Sequence, residues 1–334
     1  MNISLSRTAA FAGAGLSILC RLFYGLMIES PEVSNGAWLS VAIGFILSVP
    51  LILLFRAERA GRYVQWVLLP LLLLDAGDVV EIIAFSESCL AFNHIAKAVL
   101  MVPLILTALW CAFLGGDAIG ASARIWMHVF LFLMLVIIIC QRRYYHPAWL
   151  TPALGYGWEG ILRAAVRAAG WMSAIALSAM RLCSQTPRRG RVLRCMALAC
   201  AAAVALIVFR SMKTPVMDGD GLRRDIRIDA ILTNGRAPLY LQLPMIVIWF
   251  VAILHLFCFE CAVIPGLAER CIPGGSRTVY ILACISIVAI LAFSGWNTSL
   301  PAQFVKHYRY PLLLSTLTGA VIFRGKGGSL SCAA

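Results

Sequence analysis

The feature that most constrains this chain is a succession of long apolar runs separated by short, basic gaps. A helix that spans a bilayer needs roughly 20 mostly apolar residues. Only 13% of the residues are charged and 61% are apolar, whereas soluble domains carry about 25% charged residues. The sequence therefore predicts an all-α polytopic membrane protein with about ten transmembrane helices, at about 8–28, 37–55, 63–86, 94–114, 119–140, 159–180, 191–210, 241–263, 277–296 and 308–323.

The positions of the basic residues predict the orientation of these helices. Short cytoplasmic loops of membrane proteins are enriched in Lys and Arg. With the N-terminus inside, the inner segments hold 14 basic residues and the outer loops 11, and six of those 11 fall in one long loop at 210–240. We therefore expect both termini in the cytoplasm. The net charge of +13 then reflects membrane orientation, and we expect a lipid bilayer rather than a nucleic acid as the surrounding partner.

The sequence contains no motif that is typical of an enzyme or of a cofactor site. A Gly-rich phosphate loop, H-E-x-x-H and G-x-S-x-G are all absent from it. The twelve cysteines are scattered, many of them inside apolar runs. Cys258 and Cys261 form a close pair, but no second pair completes a zinc site. We expect no catalytic residue, no metal and no cofactor.

Three acidic residues in the third helix form the most unusual feature of the apolar runs. An ionisable group inside a membrane helix costs about 2.5–3.5 kcal/mol on insertion scales. Asp75, Asp78 and Glu81 are each three residues apart, so they follow one another along one helix face. Two interpretations stay open: a site for a cation, an amine or a proton, or a structural network with basic partners or an acid-lined outer vestibule.

Two further charged residues are expected near these acids or near a membrane surface. Arg21 lies about 10 Å from the outer end of the first helix at 1.5 Å per residue, a depth similar to that of Asp78. We therefore predict a buried charge pair between Arg21 and Asp78, in which Arg21→Ala destabilises the protein and Asp78→Ala partly restores it. Glu260 in the eighth helix is expected near its inner end, within reach of solvent.

Glycines interrupt the first and sixth helices. Gly13 and Gly15 precede Ser17 in the first helix, and Gly170 and Trp171 precede Ser173 in the sixth. Such glycines either permit close helix packing or mark discontinuous helices at equivalent places in two inverted repeats. The second interpretation predicts five-plus-five repeats with broken helices 1 and 6, in a single transmembrane domain, 1–334. Its parts are 1–140, a connecting loop at 141–158, 159–323 with the outer loop 210–240, and a cytoplasmic tail at 324–334.

Three short segments of the sequence have the pattern of a known family: Pro-Glu-Val-Ser-Asn-Gly-Ala-Trp-Leu-Ser at 31–40, Pro-Ala-Trp-Leu-Thr-Pro-Ala-Leu-Gly-Tyr-Gly at 147–157, and the entry to the eighth helix at 239–250. They resemble the bacterial spore germination permeases, the B subunits of nutrient germinant receptors (GerAB-like). This family lies within the amino acid–polyamine–organocation superfamily. The chain departs from the family at Tyr240-Leu241-Gln242, where an Arg-Leu-Glu step is usual, and at Ser173-Ala174, which replaces a Gly-Glu step.

The resemblance implies a small-molecule pocket between helices one, three, six and eight, in which a nutrient such as an amino acid binds and signals germination. It also implies A-type and C-type receptor subunits as partners, in the inner spore membrane or the bacterial cytoplasmic membrane. A proton-coupled amino-acid or polyamine permease is the alternative, with Asp75 or Asp78 as the proton-linked carboxylate. From helix breaks and buried charge we predict these ligand-binding residues: Gly13, Gly15, Ser17, Asp75, Asp78, Gly170, Trp171 and Ser173.

Overall fold

The computed structural model describes residues 6–25, 36–55, 60–90, 96–140, 147–150, 157–183, 189–212, 239–294 and 300–326. Within these ranges the chain forms ten α-helices and one 3₁₀ turn, Pro147–Leu150. The α-helices are α1 (Arg7–Tyr24), α2 (Ala37–Leu54), α3 (Ala60–Leu90), α4 (Lys97–Leu114), α5 (Gly116–Cys140), α6 (Trp158–Leu182), α7 (Arg189–Ser211), α8 (Leu239–Cys271), α9 (Arg277–Phe293) and α10 (Leu300–Lys326).

The ten helices occupy the ten places that the apolar runs predict, so the all-α membrane class is confirmed. Among the described residues, five segments are at least 18 residues long and apolar enough to cross a bilayer: Ala37–Leu54, Gly116–Val136, Trp158–Leu182, Arg189–Phe209 and Phe250–Cys271. Two shorter apolar helices are Ala98–Leu114 and Arg277–Phe293. Large apolar side chains such as Trp110 and Phe132 are exposed on α4 and α5, as expected for a surface that faces lipid rather than water.

The turns between helices follow ordinary capping chemistry. Ser6 begins α1 by accepting a hydrogen bond from the Ala9 amide with its side chain, and Ser276 caps α9 in the same way. A single residue, Gly115, separates α4 from α5, with φ at +91°. Only glycine adopts this backbone conformation without strain, so the sharp reversal between the two helices depends on it.

The contacts between helices follow a repeat of five. If every helix number is raised by five, counting α1 again after α10, each main contact of the bundle corresponds to another main contact. The contact of α1 with α5 corresponds to that of α6 with α10. In the same way, α2–α6 corresponds to α7–α1, and α4–α8 corresponds to α9–α3. The counterparts α3 and α8 contact each other and run antiparallel, since Gln65 near the start of α3 donates a hydrogen bond to the carbonyl of Arg270 at the end of α8. This is the arrangement of two inverted five-helix repeats.

Helices α1 and α6 are continuous through the glycines that were expected to break them. A side-chain carbon on Gly13 would lie 2.2 Å from the Phe259 ring, and one on Gly15 would lie 2.8 Å from Cys195 Sγ. On α6, Gly170 contacts the backbone and the side-chain stem of α10 at Arg309 and Tyr310. The glycines therefore allow close approach of neighbouring helices, and the prediction of breaks at these three positions is wrong because α1 and α6 run through them without interruption.

Two helices extend further than the apolar runs indicate. Helix α8 continues to Cys271 and α10 begins at Leu300, whereas the predicted spans end at 263 and begin at 308. Most of the predicted outer loop, 213–238, lies outside the described residues, as do parts of two segments that carry the family resemblance, 31–35 and 151–156, and the tail from 327. The predicted limits of the repeats and the cytoplasmic location of the termini stay predictions.

Candidate functional site

A cluster of buried charged side chains lies between α1, α3, α8 and α10. At its centre, Oδ1 of Asp75 accepts a hydrogen bond from Arg21 Nη2 at 2.7 Å and a second from Arg309 Nη1 at 2.9 Å. The three side chains are 1–2% exposed. One carboxylate oxygen thus receives two charge-assisted bonds from helices of different repeats. We call Arg21, Asp75, Arg309 and Glu260 the central cluster.

Glu260 completes this cluster from α8. Its carboxyl lies within hydrogen-bonding range of Asp75 and within electrostatic range of both arginines. It is 1% exposed, and neither of its oxygens receives a hydrogen bond. Because α3 and α8 are counterparts in the two repeats, the two carboxyls face each other where the repeats meet. The expectation that Glu260 reaches solvent is wrong: α8 continues about three turns beyond it, roughly 16 Å.

Helix α6 supplies the wall of the cluster next to Arg21. The guanidinium carbon of Arg21 lies 4.6 Å from the centre of the Trp171 ring, a distance at which a cation is attracted to the ring face. Trp171 also contacts α1 at Gly25, where a side-chain carbon would lie 2.4 Å from the indole. One residue earlier, Gly170 allows α10 to approach α6, which brings Arg309 beside Asp75.

Several buried polar atoms on the helices that form the cluster make no hydrogen bond. On α10, Arg309 uses Nη1 for Asp75, while its Nε and Nη2 have no partner. The hydroxyls of Ser17 on α1 and Ser173 on α6 and the Nε2 atom of His255 on α8 also lack hydrogen-bond partners. Buried polar groups are nearly always hydrogen-bonded, so the free groups of Arg309 and Glu260 within the cluster are of the kind that a polar ligand could satisfy.

The structure brings part of the predicted site together. Asp75 is at its centre, Trp171 contacts Arg21, and Ser17 and Ser173 are fully buried with unpartnered hydroxyls. Gly13, Gly15 and Gly170 contact side chains or backbone of neighbouring helices, and their amides lie within continuous helices. These three glycines therefore do not provide the open backbone that the prediction gave them.

Asp78 is buried one turn beyond Asp75 on α3. The ion pair that the structure describes for Arg21 is with Asp75, and the pairing of Arg21 with Asp78 stays a prediction. The two aspartates are three residues apart, about 4.5 Å along the helix. Helix ends predicted from sequence are uncertain by a few residues. A depth in the membrane that is counted from such ends therefore cannot distinguish Asp75 from Asp78.

Sequence reasoning missed the roles of two members of the cluster, Arg309 and Glu260. Arg309 stands at the edge of the last apolar run, where an arginine is expected to reach the membrane surface. Only the extension of α10 back to Leu300 places it nine residues inside the helix. Pro265-Gly266, just after Glu260, is typical of a helix end, yet α8 continues through it.

A second polar contact joins the ends of three helices. Gln65 of α3 accepts hydrogen bonds from Arg181 of α6, at 3.2 Å from Nε and 3.0 Å from Nη2, and donates to the Arg270 carbonyl of α8 at 2.8 Å. Arg270 in turn donates to the carbonyl of Arg181. We call these three residues the helix-end network; it lies at the end of the bundle where α3 begins and α6 and α8 end.

Comparisons with known proteins identify the fold. The chain aligns with a nucleobase-cation-symport-1 family transporter, in a closed conformation with bromovinylhydantoin bound, at a TM-score of 0.69 and 13% identity, over 98% of this chain and 82% of the other. It aligns with MhsT in complex with L-phenylalanine at a TM-score of 0.66 and 15% identity, over 98% and 90%. A Na⁺-coupled sialic acid symporter gives a TM-score of 0.56 at 14% identity, over 95% and 78%.

This chain has the fold of these transporters. They are polytopic membrane proteins, which agrees with the ten helices and the repeated contacts of the bundle. No protein-family profile matches the chain, and no curated protein matches it significantly. At 13–15% identity the likeness establishes the fold, and the activity has to be argued from the site.

Proposed function

We propose that this protein is the B-type membrane subunit of a spore nutrient germinant receptor, which binds a small nutrient in a transporter-like pocket and signals germination. The observation that carries the proposal is the central cluster, in which buried donors and acceptors without partners lie between the two repeats. The segments at 31–40, 147–157 and 239–250 support the receptor family, and the fold supports a pocket between the repeats. The partners would be the A-type and C-type subunits.

The position of the cluster suggests how binding would produce a signal. Arg21 and Trp171 belong to α1 and α6, whereas Asp75 and Arg309 belong to α3 and α10. A ligand that binds these groups connects helices of both repeats and favours the arrangement in which they are close together. A ligand shifts a conformational equilibrium only when it binds one state better than the other, and a site divided between repeats meets that condition.

A proton-coupled amino-acid or polyamine permease is the second candidate, and the facing carboxyls favour it. Two carboxylates are both acceptors, so Asp75 and Glu260 form a hydrogen bond only when one of them carries a proton. A proton held by this pair and released when a substrate enters would couple substrate to proton movement. In this mechanism the proton is shared by Asp75 and Glu260, whereas the sequence assigned it to Asp75 or Asp78 alone.

Spores that lack this gene distinguish the two candidates. We would follow dipicolinate release with a panel of amino acids, together with uptake of labelled amino acids by growing cells. Loss of nutrient-triggered release with normal uptake is the result expected for a receptor subunit. Normal germination with the loss of one uptake activity would overturn the receptor proposal in favour of the permease. Complementation with the unaltered gene controls for effects on neighbouring genes.

A further inference from the structure

We propose that Arg309 and Glu260 form the two polar ends of a binding site for a free α-amino acid, with the ligand's carboxylate on Arg309 and its ammonium on Glu260. This inference deepens the proposed function and rests on the nutrient pocket proposed there. It assigns ligand contacts to two residues, on α10 and α8, that the sequence did not place in the site.

The unused hydrogen-bonding groups of the two side chains determine the chemical class of the ligand. Arg309 retains two nitrogens, Nε and Nη2, after its bond to Asp75. Its guanidinium therefore still presents one edge with two N–H groups, the geometry that binds a carboxylate in bidentate fashion. Glu260 retains both oxygens as acceptors. A buried donor edge and a buried acceptor pair within one cluster are complementary to a molecule that carries one carboxylate and one ammonium.

The spacing of the two groups also suits an α-amino acid. Both side chains reach the same carboxylate of Asp75: Arg309 donates to it at 2.9 Å, and Glu260 lies within hydrogen-bonding range of it. The guanidinium of Arg309 and the carboxyl of Glu260 thus lie close together, on either side of the Asp75 carboxylate or at its edge. An α-amino acid carries its ammonium and its carboxylate on one carbon, so a single small molecule can form a hydrogen bond with each of two groups held this close together.

The continuity of α1 and α6 strengthens the assignment of the carboxylate to Arg309. Discontinuous helices would offer free backbone amides to an anion, but Gly13, Gly15 and Gly170 lie within unbroken helices. Their amides are engaged in helical hydrogen bonds and do not bind a ligand. Within the described parts of α1 and α6, the donors for a carboxylate are therefore side chains, and Arg21 already donates to Asp75 and stacks on Trp171.

Binding to the purified full-length chain in detergent micelles tests this inference directly. Each of the twenty proteinogenic L-amino acids would be added separately, and the shift in thermal denaturation would be recorded. For each amino acid that stabilises the protein, calorimetry would compare it with its amide, which lacks the carboxylate, and with its N-acetyl derivative, which lacks the ammonium. We expect both derivatives to bind at least about 10-fold more weakly. Equal binding of either derivative would overturn the assignment.

Two conservative variants locate the contacts. Arg309→Lys keeps the positive charge but loses the bidentate edge, and Glu260→Gln keeps the shape but loses the charge. Each should weaken binding of the amino acid by about 10- to 100-fold. Arg309→Lys should have little further effect on the amide, and Glu260→Gln little further effect on the N-acetyl derivative. Arg163→Lys and Glu159→Gln, at an exposed ion pair on α6, are the matched controls and should bind normally.

The outcomes separate this inference from the proposed function. If no amino acid binds, but spores lacking the gene fail to germinate with another nutrient such as a nucleoside, the receptor proposal stands and the amino-acid site is wrong. If an amino acid binds through Arg309 and Glu260 and germination is normal without the gene, the amino-acid site stands and the receptor proposal is wrong. Loss of amino-acid selectivity in the exposed-pair controls would also overturn the assignment.

Discussion

The central cluster and the helix-end network both join α3 to α8 through buried or half-buried polar side chains, but they differ in how completely their groups are used. In the helix-end network, the amide of Gln65 donates to one carbonyl and accepts from Arg181, and Arg270 donates to a further carbonyl. In the central cluster, Arg309 and Glu260 retain groups without partners. Gln65 thus uses both its nitrogen and its oxygen within the protein, whereas the central cluster keeps buried donors and acceptors unused.

This difference separates a structural contact from a candidate binding site. A satisfied network stabilises the folded state by about 0.5–1.5 kcal/mol for each hydrogen bond, and it needs no ligand. Unpartnered buried groups lower stability and persist where a ligand can satisfy them. The helix-end network therefore holds three helix ends together, while the ligand site proposed at the central cluster would account for its unpartnered groups.

Replacing Asp75 with alanine should have the largest effect on stability. It would remove the carboxylate that accepts hydrogen bonds from both buried guanidinium groups, which costs about 3–5 kcal/mol, and we expect a strong decrease in the denaturation temperature. Asp75→Asn, which still accepts a hydrogen bond, should be intermediate. A loss for Asp75→Ala smaller than that for Gln65→Ala would show that the cluster does not depend on its central carboxylate.

Gln65→Ala should have the next largest effect, about 1–3 kcal/mol, because it removes the donor to the Arg270 carbonyl and the acceptor of two hydrogen bonds from Arg181. Ligand affinity should stay within about 2-fold of the unaltered protein, since the network lies at the end of the bundle. Denaturation and calorimetry on the same sample would measure both quantities. Gln303→Ala, at an exposed glutamine of α10, is the control, and a large loss of affinity in Gln65→Ala would contradict the separation of the two regions.

Glu260→Gln should change stability little, by at most about 1 kcal/mol, although it lies at the centre of the bundle. No hydrogen bond is lost, and the relief of repulsion from Asp75 offsets the lost attraction to the arginines. The same variant should lose most of its ligand affinity. Chemical denaturation in micelles would measure the stability; a loss as large as that of Asp75→Ala would indicate a structural role.

Glu159→Gln should have the smallest effect. The ion pair of Glu159 with Arg163 has side chains that are 80% and 60% exposed, and exposed pairs contribute about 0.2–1 kcal/mol. We expect a decrease of less than about 0.5 kcal/mol that disappears at high salt. Thermal denaturation at low and high salt would measure this. A larger decrease, or one that does not depend on salt, would mean that burial does not explain why the exposed pair contributes less to stability than the central cluster.

The number and the places of the helices could be predicted from the sequence, because each apolar run must bury its backbone polar groups within one helix in a bilayer. The buried acid at Asp75 could be predicted for the same reason, since charge within such a run requires a partner. The identity of that partner could not. Arg21 forms a buried ion pair with Asp75, whereas the sequence predicted a pair with Asp78, because a choice between these two acids requires depths accurate to less than one turn.

Hydrophobicity along the chain therefore determined the class of protein, the ten helices and the presence of a buried charged site. Tertiary structure alone decided that Arg309 and Glu260 belong to this site and that Gly13, Gly15 and Gly170 serve helix packing. The physical reason is that local hydrophobicity in the sequence indicates the free-energy cost of placing each residue in the membrane. Which side chains offset that cost depends on how distant helices cross, as α3 and α10 do where Asp75 meets an arginine 234 residues later in the chain.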